Sequence, residues 1–146
     1  MKQKERANGI ARLSGGSEYP ALRGVVKFYQ RCDGVVVEAQ VWGLPRTQTG
    51  FFAFHIHEGG SCEGRDFPNT GGHFNPDGRN HPSHAGDLPP LIGNNGFAYI
   101  SVLTDRFTVS EIIGKVIIIH ENRDDFTTQP SGNSGTKIGC GKIIRL

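Results

Sequence analysis

The strongest constraint on the fold is the way that short apolar runs alternate with turn residues along the chain. The sequence contains 21 glycines and 8 prolines, and many of them stand in clusters between these runs. Such punctuation is typical of short strands joined by turns. The strand-like segments are GIARLS (9–14), GVVKFYQR (24–31), VVVEAQVW (35–42), FFAFHIH (51–57), FAYISV (97–102), KVIIIH (115–120) and CGKIIRL (140–146). We therefore predict an all-β protein of seven or eight short strands.

The length and charge of the chain limit the number of domains and the kinds of partner that it can have. A chain of 146 residues is long enough to bury the core of one domain, so we predict a single domain over residues 1–146. The formal net charge of +2 arises within residues 1–6, which we expect to be a flexible basic tail. Because the rest of the chain has no net charge and no basic stripe, we predict that it does not bind nucleic acid.

The sequence also shows no pattern of a membrane or export segment. No apolar run approaches the ~20 residues that a membrane-spanning helix needs. No apolar segment follows the basic start, as a signal peptide would require. We therefore predict no membrane partner and a cytoplasmic location, unless a signal has already been removed.

Two long stretches interrupt the strand pattern. Residues 58 to about 90 are rich in Gly, Pro, Asn, His and Asp, and residues 121–139 form a second irregular stretch. Long loops in a compact domain are commonly functional or disordered. The first of these loops holds three histidines and a fourth directly precedes the second, so we predict two functional loops.

The six histidines all fall between residues 55 and 120, at positions His55, His57, His73, His81, His84 and His120. His55 and His57 alternate along one strand and therefore point to the same side of it. His120 ends another strand. Imidazole nitrogen suits copper, zinc, iron and nickel, so these three strand-borne side chains form one candidate ligand set.

A second candidate set lies in the first long loop. His81, His84 and Asp87 follow one another at intervals of three residues, and a carboxylate adds a hard oxygen ligand to two imidazoles. Binding of a metal by these residues would organise the loop. His73 follows two glycines, lies between the two sets in sequence and could serve either.

The three cysteines allow one pairing to be considered. Cys62 closely follows the histidine pair and Cys140 begins the last strand-like segment. A disulfide between them would tie the first loop to the sheet. The alternative is two reduced thiols, since the cytosol keeps thiols reduced. Cys32 is left over beside a turn and is interpreted as a free thiol.

Five motifs occur in order along the chain: AFHIHEGGSC, GGHFNPDGRNH, HAGDLPPL, IIIHENRDD and SGNSGTKIGCGKI. In sequence and spacing they resemble the copper/zinc superoxide dismutase family, and the resemblance runs from about residue 7 to residue 144. It implies an eight-stranded Greek-key β-barrel of the sandwich type, with two long functional loops. It also implies a homodimer that binds one copper and one zinc ion per subunit.

The resemblance assigns roles to individual residues. Carried over by motif, the copper ligands are His55, His57, His73 and His120. The zinc ligands are His73, His81, His84 and Asp87. His73 would bridge the two metals, Asp124 would hydrogen-bond one ligand of each metal, and Cys62 would pair with Cys140. The implied activity is conversion of superoxide into O₂ and H₂O₂ by Cu(II)/Cu(I) cycling, with a structural zinc and with His73 and Lys137 as catalytic residues.

The sequence departs from the family pattern at one catalytic position. Lys137 stands three residues before the second disulfide cysteine, where the family usually has arginine, and a flexible ammonium is not equivalent to a planar guanidinium. We expect weaker, not absent, activity from this exchange. The loop over residues 122–136 carries few charges and resembles bacterial members. The alternative function is a catalytically weak, zinc-stabilised copper-binding protein.

Overall fold

The structure, a computed structural model, describes residues 5–146. Of the predicted flexible tail, residues 1–4 lie outside the described residues, while Glu5 and Arg6 are exposed. Within the described range the elements are β1 (Gly9–Gly15), β2 (Arg23–Arg31), β3 (Gly34–Trp42), β4 (Phe51–Phe52), β5 (Phe54–His57), β6 (Leu91–Ile92), β7 (Ala98–Thr104), α1 (Val109–Ile112), β8 (Val116–His120) and β9 (Lys137–Arg145).

Seven of the strands form one antiparallel sheet in the order β5-β8-β9-β1-β2-β3-β7. The last strand, β9, pairs with β1, which begins the β1–β2–β3 meander. This return of a distant strand to the side of the first is the Greek-key arrangement. The prediction of an all-β Greek-key fold is confirmed.

The predicted strand at residues 51–57 is a strand that changes partners. Its first part, β4, pairs with β6, and its second part, β5, pairs with β8. The change occurs at Ala53, whose N–H donates to the carbonyl of Asn122 at 2.9 Å while its own carbonyl accepts from the His120 N–H at 2.9 Å. Because β6 also lies beside β7, this partner change brings the two ends of the curled sheet together. With β4 and β5 counted as one interrupted strand, the barrel has the predicted eight strands.

The strands alternate buried and exposed residues where one face meets solvent, as in β2 and β3, but β5 and β8 are buried on both faces. On β8, Ile117 and Ile119 face the main core, whereas Val116 and Ile118 pack against Phe67 and the disulfide. The first long loop therefore covers the outer face of this part of the sheet. This confirms the interpretation of residues 115–120 as a strand buried on both sides.

Two local features differ from the prediction. The helix α1 was not predicted, although Thr108 and Glu111 form a capping pattern in which the Thr108 N–H donates to a Glu111 carboxylate oxygen at 2.6 Å. The last strand begins at Lys137 and not at Cys140, so the second loop covers residues 121–136. Among the described residues, no helix has the length and apolar character needed to cross a membrane.

Candidate metal centre

The fold brings all six histidines into one buried cluster. We call His55, His57 and His120 the strand-held set, because β5 and β8 carry them. His81, His84 and Asp87 form the loop-held set. His73 lies between the two sets, in an antiparallel bridge with His57, and its ring centroid is 4.0 Å from that of His55.

The strand-held set and His73 form a group whose donor atoms all lie within 4.8 Å of one another. The Nε2 atoms of His57 and His120 are 3.3 Å apart. Their opposite ring nitrogens face backbone carbonyls: His57 Nδ1–H donates to the Gly71 carbonyl at 2.8 Å, and His120 Nδ1–H donates to the Gly135 carbonyl at 3.2 Å. These bonds leave each Nε2 with a free lone pair directed into the cluster.

The remaining two histidines of this group have nitrogens without partners. His55 Nε2–H donates to Asp124 Oδ2 at 2.7 Å, while its buried Nδ1 has no hydrogen-bond partner. The buried Nε2 of His73 also has none. Buried polar atoms are nearly always satisfied, so these orphaned nitrogens mark a place for a cation. The residues thus fit the copper ion that the resemblance implies.

Burial also sets the protonation state that a metal ligand requires. Desolvation lowers the pKa of His57 to about 3 and the pKa of His120 to about 2. Desolvation likewise lowers the pKa of His55, although its bond to Asp124 acts in the opposite direction. These three side chains are therefore neutral near pH 7, and the neutral imidazole is the form that binds metal.

The loop-held set converges on the other nitrogen of His73. His73 Nδ1 is 2.8 Å from Asp87 Oδ1 and 3.2 Å from His84 Nδ1. His81 Nδ1 is 3.0 Å from Asp87 Oδ2, yet it makes no hydrogen bond of acceptable geometry. Donor atoms bound to one tetrahedral zinc ion lie roughly 3.3 Å apart, so nitrogens and oxygens at these separations fit zinc.

The donor atoms of His55, His73, His81 and Asp87 also all lie within 4.8 Å of one another. His84 falls outside that limit although its Nδ1 is 3.1 Å from Asp87 Oδ2. His55 faces the strand-held set and donates to Asp124, so His84, with its short contacts to Asp87 and His73, fits the zinc group better than His55 does. For Asp87, burial raises the pKa, but the hydrogen bond and charge of His73 outweigh it, so the net shift of the pKa is downward.

Asp124, in the second loop, joins the two sets. Its Oδ2 accepts from His55 Nε2–H and its Oδ1 from His81 Nε2–H, both at 2.7 Å. The backbone N–H of Phe126 donates to Oδ1 at 2.8 Å. Burial raises the pKa of Asp124, but these hydrogen bonds outweigh it and lower the pKa to about 2. An ionised carboxylate therefore fixes the ring orientation of one histidine from each set.

The cluster opens to the surface through a cavity of about 210 Å³ lined in part by His57, His73, His120 and Lys137. The half-buried Lys137 ammonium donates to Thr70 Oγ1 at 2.7 Å and to the Phe67 carbonyl at 3.3 Å. Burial lowers the pKa of Lys137. The Lys137 side chain thus lies beside the opening. Thr70 was missed from the sequence, as were the carbonyls of Gly71 and Gly135.

Cys62 and Cys140 form a disulfide, so the predicted pairing is confirmed. The bond ties the first long loop to β9 across a sequence separation of 78 residues. Cys32 is a free thiol, as predicted, and its side chain is exposed.

Comparison with known proteins agrees with this geometry. A family model described as copper/zinc superoxide dismutase matches residues 22–143 of the chain. The chain belongs to the copper/zinc superoxide dismutase family. Among its relatives, superoxide dismutase Cu-Zn 2 of Aquifex aeolicus is 33% identical over 135 residues, which cover 82% of this chain and 78% of that protein. The superoxide dismutase-like protein YojM of Bacillus subtilis is 41% identical over 106 residues, covering 62% of this chain and 54% of that protein.

Solved structures of the family show the same architecture. The crystal structure of a SOD-like protein from Bacillus subtilis superposes with a TM-score of 0.78 at 30% identity, covering 90% of this chain and 95% of that one. A double mutant, in which a tyrosine and a proline of the SOD-like protein are replaced by histidine, gives a TM-score of 0.80 at 32% identity over 95% and 99% of the two chains. The family and the histidine clusters together indicate a metal-binding protein.

Proposed function

We propose that the protein is a superoxide dismutase that converts superoxide into O₂ and H₂O₂. In this proposal His55, His57, His73 and His120 would hold copper, while His73, His81, His84 and Asp87 would hold zinc. The observation that carries the proposal is the position of His73. Its Nδ1 faces the loop-held set and its unpartnered Nε2 faces the strand-held set, beside an opening to solvent.

Copper, when bound, supplies reversible one-electron exchange, and zinc supplies a fixed positive charge. The protein supplies the remaining requirements. The carbonyls of Gly71 and Gly135 hold His57 and His120 in the tautomer that exposes Nε2. Burial keeps both rings neutral. The cavity beside the strand-held set is small, which favours a small reactant over bulkier ones.

His73 and Lys137 are the proposed catalytic residues. Reduction of superoxide to H₂O₂ consumes two protons, and His73 Nε2 is a buried nitrogen at the cavity that can hold one of them and pass it to the departing peroxide. Lys137 lines the same cavity, so its ammonium attracts the superoxide anion to the opening.

The second candidate function is a zinc-stabilised copper-binding protein with little turnover. Lys137 favours this candidate, because its single ammonium is already hydrogen-bonded to Thr70 and Phe67 and is half-buried. A guanidinium would keep further N–H donors for an anion. One relative is, moreover, described as superoxide dismutase-like.

The test is superoxide decay measured by stopped flow on protein whose copper and zinc contents are determined in the same sample. We expect decay to accelerate in proportion to protein holding both metals, with the zinc-only form as the inactive control. A fully loaded sample that leaves decay at the rate of free buffer would eliminate the enzyme and leave the copper-binding protein. The homodimer and the cytoplasmic location stay predictions, to be checked by light scattering and fractionation.

A further inference from the structure

We propose that Gln129 and Arg106 are positioning residues for the zinc ligands His81 and His84. They form hydrogen bonds with the backbone of residues 81–84 from two sides and so fix its position. The inference rests on the zinc site of the proposed function. Neither residue contributes a donor atom to the metal groups. Their effect is exerted on the backbone that carries two of the proposed ligands.

Gln129, from the second loop, pairs with the backbone of His81 as a neighbouring strand would. Its Oε1 accepts from the His81 N–H at 2.9 Å, and its Nε2 donates to the His81 carbonyl at 2.7 Å. Nε2 also donates to the Thr127 carbonyl at 3.2 Å. If the Gln129 amide were rotated by 180°, its NH₂ would face the His81 N–H and its oxygen would face the His81 carbonyl. These two partners therefore fix the orientation of the amide. One side chain thus satisfies both backbone groups of a proposed ligand.

Arg106 acts on the same segment from the end of β7. Its Nη1 donates to the Pro82 carbonyl at 2.7 Å and to the His84 carbonyl at 3.1 Å. The Arg106 backbone is in turn held by Thr104, whose Oγ1 accepts from the Arg106 N–H at 3.3 Å. The guanidinium therefore connects the sheet to the stretch of loop between the two ligands.

The remaining backbone N–H groups of this segment are bonded within the first loop. The Ser83 N–H donates to the Asn80 carbonyl at 2.7 Å, and the His84 N–H donates to Asp87 Oδ2 at 3.0 Å. The segment belongs to no strand or helix. Its contacts to the second loop and to β7 therefore come from side chains, which is why Gln129 and Arg106 matter for its position.

A merely stabilising contact and a positioning contact have different consequences. If Gln129 and Arg106 only stabilised the fold, their loss would lower the melting temperature and leave zinc affinity unchanged at a temperature where the protein is folded. If they position His81 and His84, their loss loosens the ligand geometry in the folded protein. Removing outer partners of metal ligands typically weakens metal binding about 10–100-fold.

The experiment measures zinc affinity of the full metal-free chain by competition with a chromophoric chelator, at a temperature where every variant is folded by circular dichroism. We expect Gln129→Ala and Arg106→Ala each to weaken zinc binding about 10-fold. Gln129→Glu keeps the acceptor but sets a carboxylate oxygen against the His81 and Thr127 carbonyls, so it should weaken zinc binding at least as much as Gln129→Ala. Arg106→Lys should restore part of the affinity. The exposed residues Gln48 and Arg65, each changed to Ala, are the matched controls.

Cobalt(II) in place of zinc adds a spectroscopic readout, because its visible absorption reports ligand geometry. The inference predicts an altered cobalt spectrum for Gln129→Ala and Arg106→Ala and a parent spectrum for both controls. Parent-like zinc affinity and cobalt spectra in both variants would overturn the positioning role alone, even with lowered melting temperatures. A parent chain that binds no zinc would overturn the proposed zinc site and this inference together.

Discussion

The strand-held and loop-held sets show two ways of presenting ligands. His55 and His57 belong to a strand whose residues pair one by one with β8, so backbone hydrogen bonds fix their positions. His81 and His84 lie in a segment without strand pairing, held by Asp124, Gln129 and Arg106. The strand-held set is thus built by the sheet itself. In the loop-held set, Asp87 is bridged to the backbone of His55, whereas His81 and His84 depend on a few side-chain contacts that single substitutions can remove.

The largest difference between the two sets is expected when the disulfide between the first loop and the sheet is removed. Replacing both Cys62 and Cys140 by Ser removes a closure of 78 residues, which the chain-entropy model values at about 4–5 kcal/mol. We expect the free energy of unfolding in urea to fall by an amount of that order, with the loop-held set losing protection in hydrogen exchange before β5 and β8. Equal loss of protection in both regions would contradict the distinction. Cys32→Ser serves as the control.

The second test crowds the loop-held set directly. A Cβ added at Gly132 would lie 2.1 Å from Asp124 Oδ1 and 2.6 Å from His81 Nε2, on a backbone with φ of +74°. We expect Gly132→Ala to displace Asp124 and to weaken zinc binding on the order of 10–100-fold. Gly78 is a matched control, because its φ is +62° and nothing lies within 4 Å of an added Cβ. Equal zinc affinity in both alanine variants would contradict this prediction, because it would show that the contact of the added Cβ with Asp124 has no effect beyond the backbone strain that both variants share.

Acid should destabilise the metal-free protein in two successive pH ranges, first through the strand-held set and then through Asp124, which joins the two sets. The pKa values of His57 and His120 are about 3 and about 2 in the fold, against an ordinary 6.5. Protons therefore bind the unfolded chain first, so this stability is full above pH 6.5 and is lost as the pH falls toward 3. Each histidine contributes a slope of up to about 1.4 kcal/mol per pH unit. The lowered pKa of Asp124 adds a loss that begins only below its ordinary 3.8.

Urea unfolding at several pH values between 7.5 and 4.5 measures this slope. His57→Gln should remove one histidine's share of it, with the sheet otherwise intact. Stability that is flat between pH 7.5 and 5 would show that these buried rings do not resist protonation.

The smallest effects are expected at the opening, where Lys137 meets Thr70. Thr70→Val removes the hydroxyl that accepts from the ammonium at 2.7 Å, so we expect a reduction of superoxide turnover of a few-fold. Lys137→Ala should reduce turnover by about 10-fold and flatten its salt dependence, and Lys137→Arg should raise it. Thr70→Ser keeps the hydroxyl and is the control. Equal turnover in all Lys137 variants would remove the guidance role.

Most of the architecture and the donor residues could be predicted from the sequence. Strand periodicity is local, so the positions of His55 and His57 on one face follow from their spacing. The spacing of His81, His84 and Asp87 predicted the loop-held set, and motif resemblance supplied Asp124 and favoured the disulfide over two reduced thiols. The two-residue strand β6 and the four-residue helix α1 are too short for a periodic signal.

The residues that hold the ligands could not be predicted in the same way. Thr70, Gln129 and Arg106 are common residue types that stand in no recognisable motif. Their hydrogen-bond partners are far away in sequence: Lys137 is 67 residues from Thr70, His81 is 48 residues from Gln129, and Pro82 is 24 residues from Arg106. The hydrogen bonds accepted by the Gly71 and Gly135 carbonyls cannot be predicted from residue type, because every residue carries a backbone carbonyl. Such contacts depend on how the loops fold back over the sheet, which no local pattern encodes.

The central claim is that His73 joins the two sets through its two ring nitrogens. The most direct measurement is the electron paramagnetic resonance spectrum of the protein loaded with Cu(II) in both subsites. One imidazolate shared by two Cu(II) ions would couple their spins, so we expect a low-temperature signal far weaker than that of two independent ions. His73→Ala should abolish the coupling in whatever copper it retains. A signal equal to two independent Cu(II) ions in the fully loaded parent protein would contradict the claim.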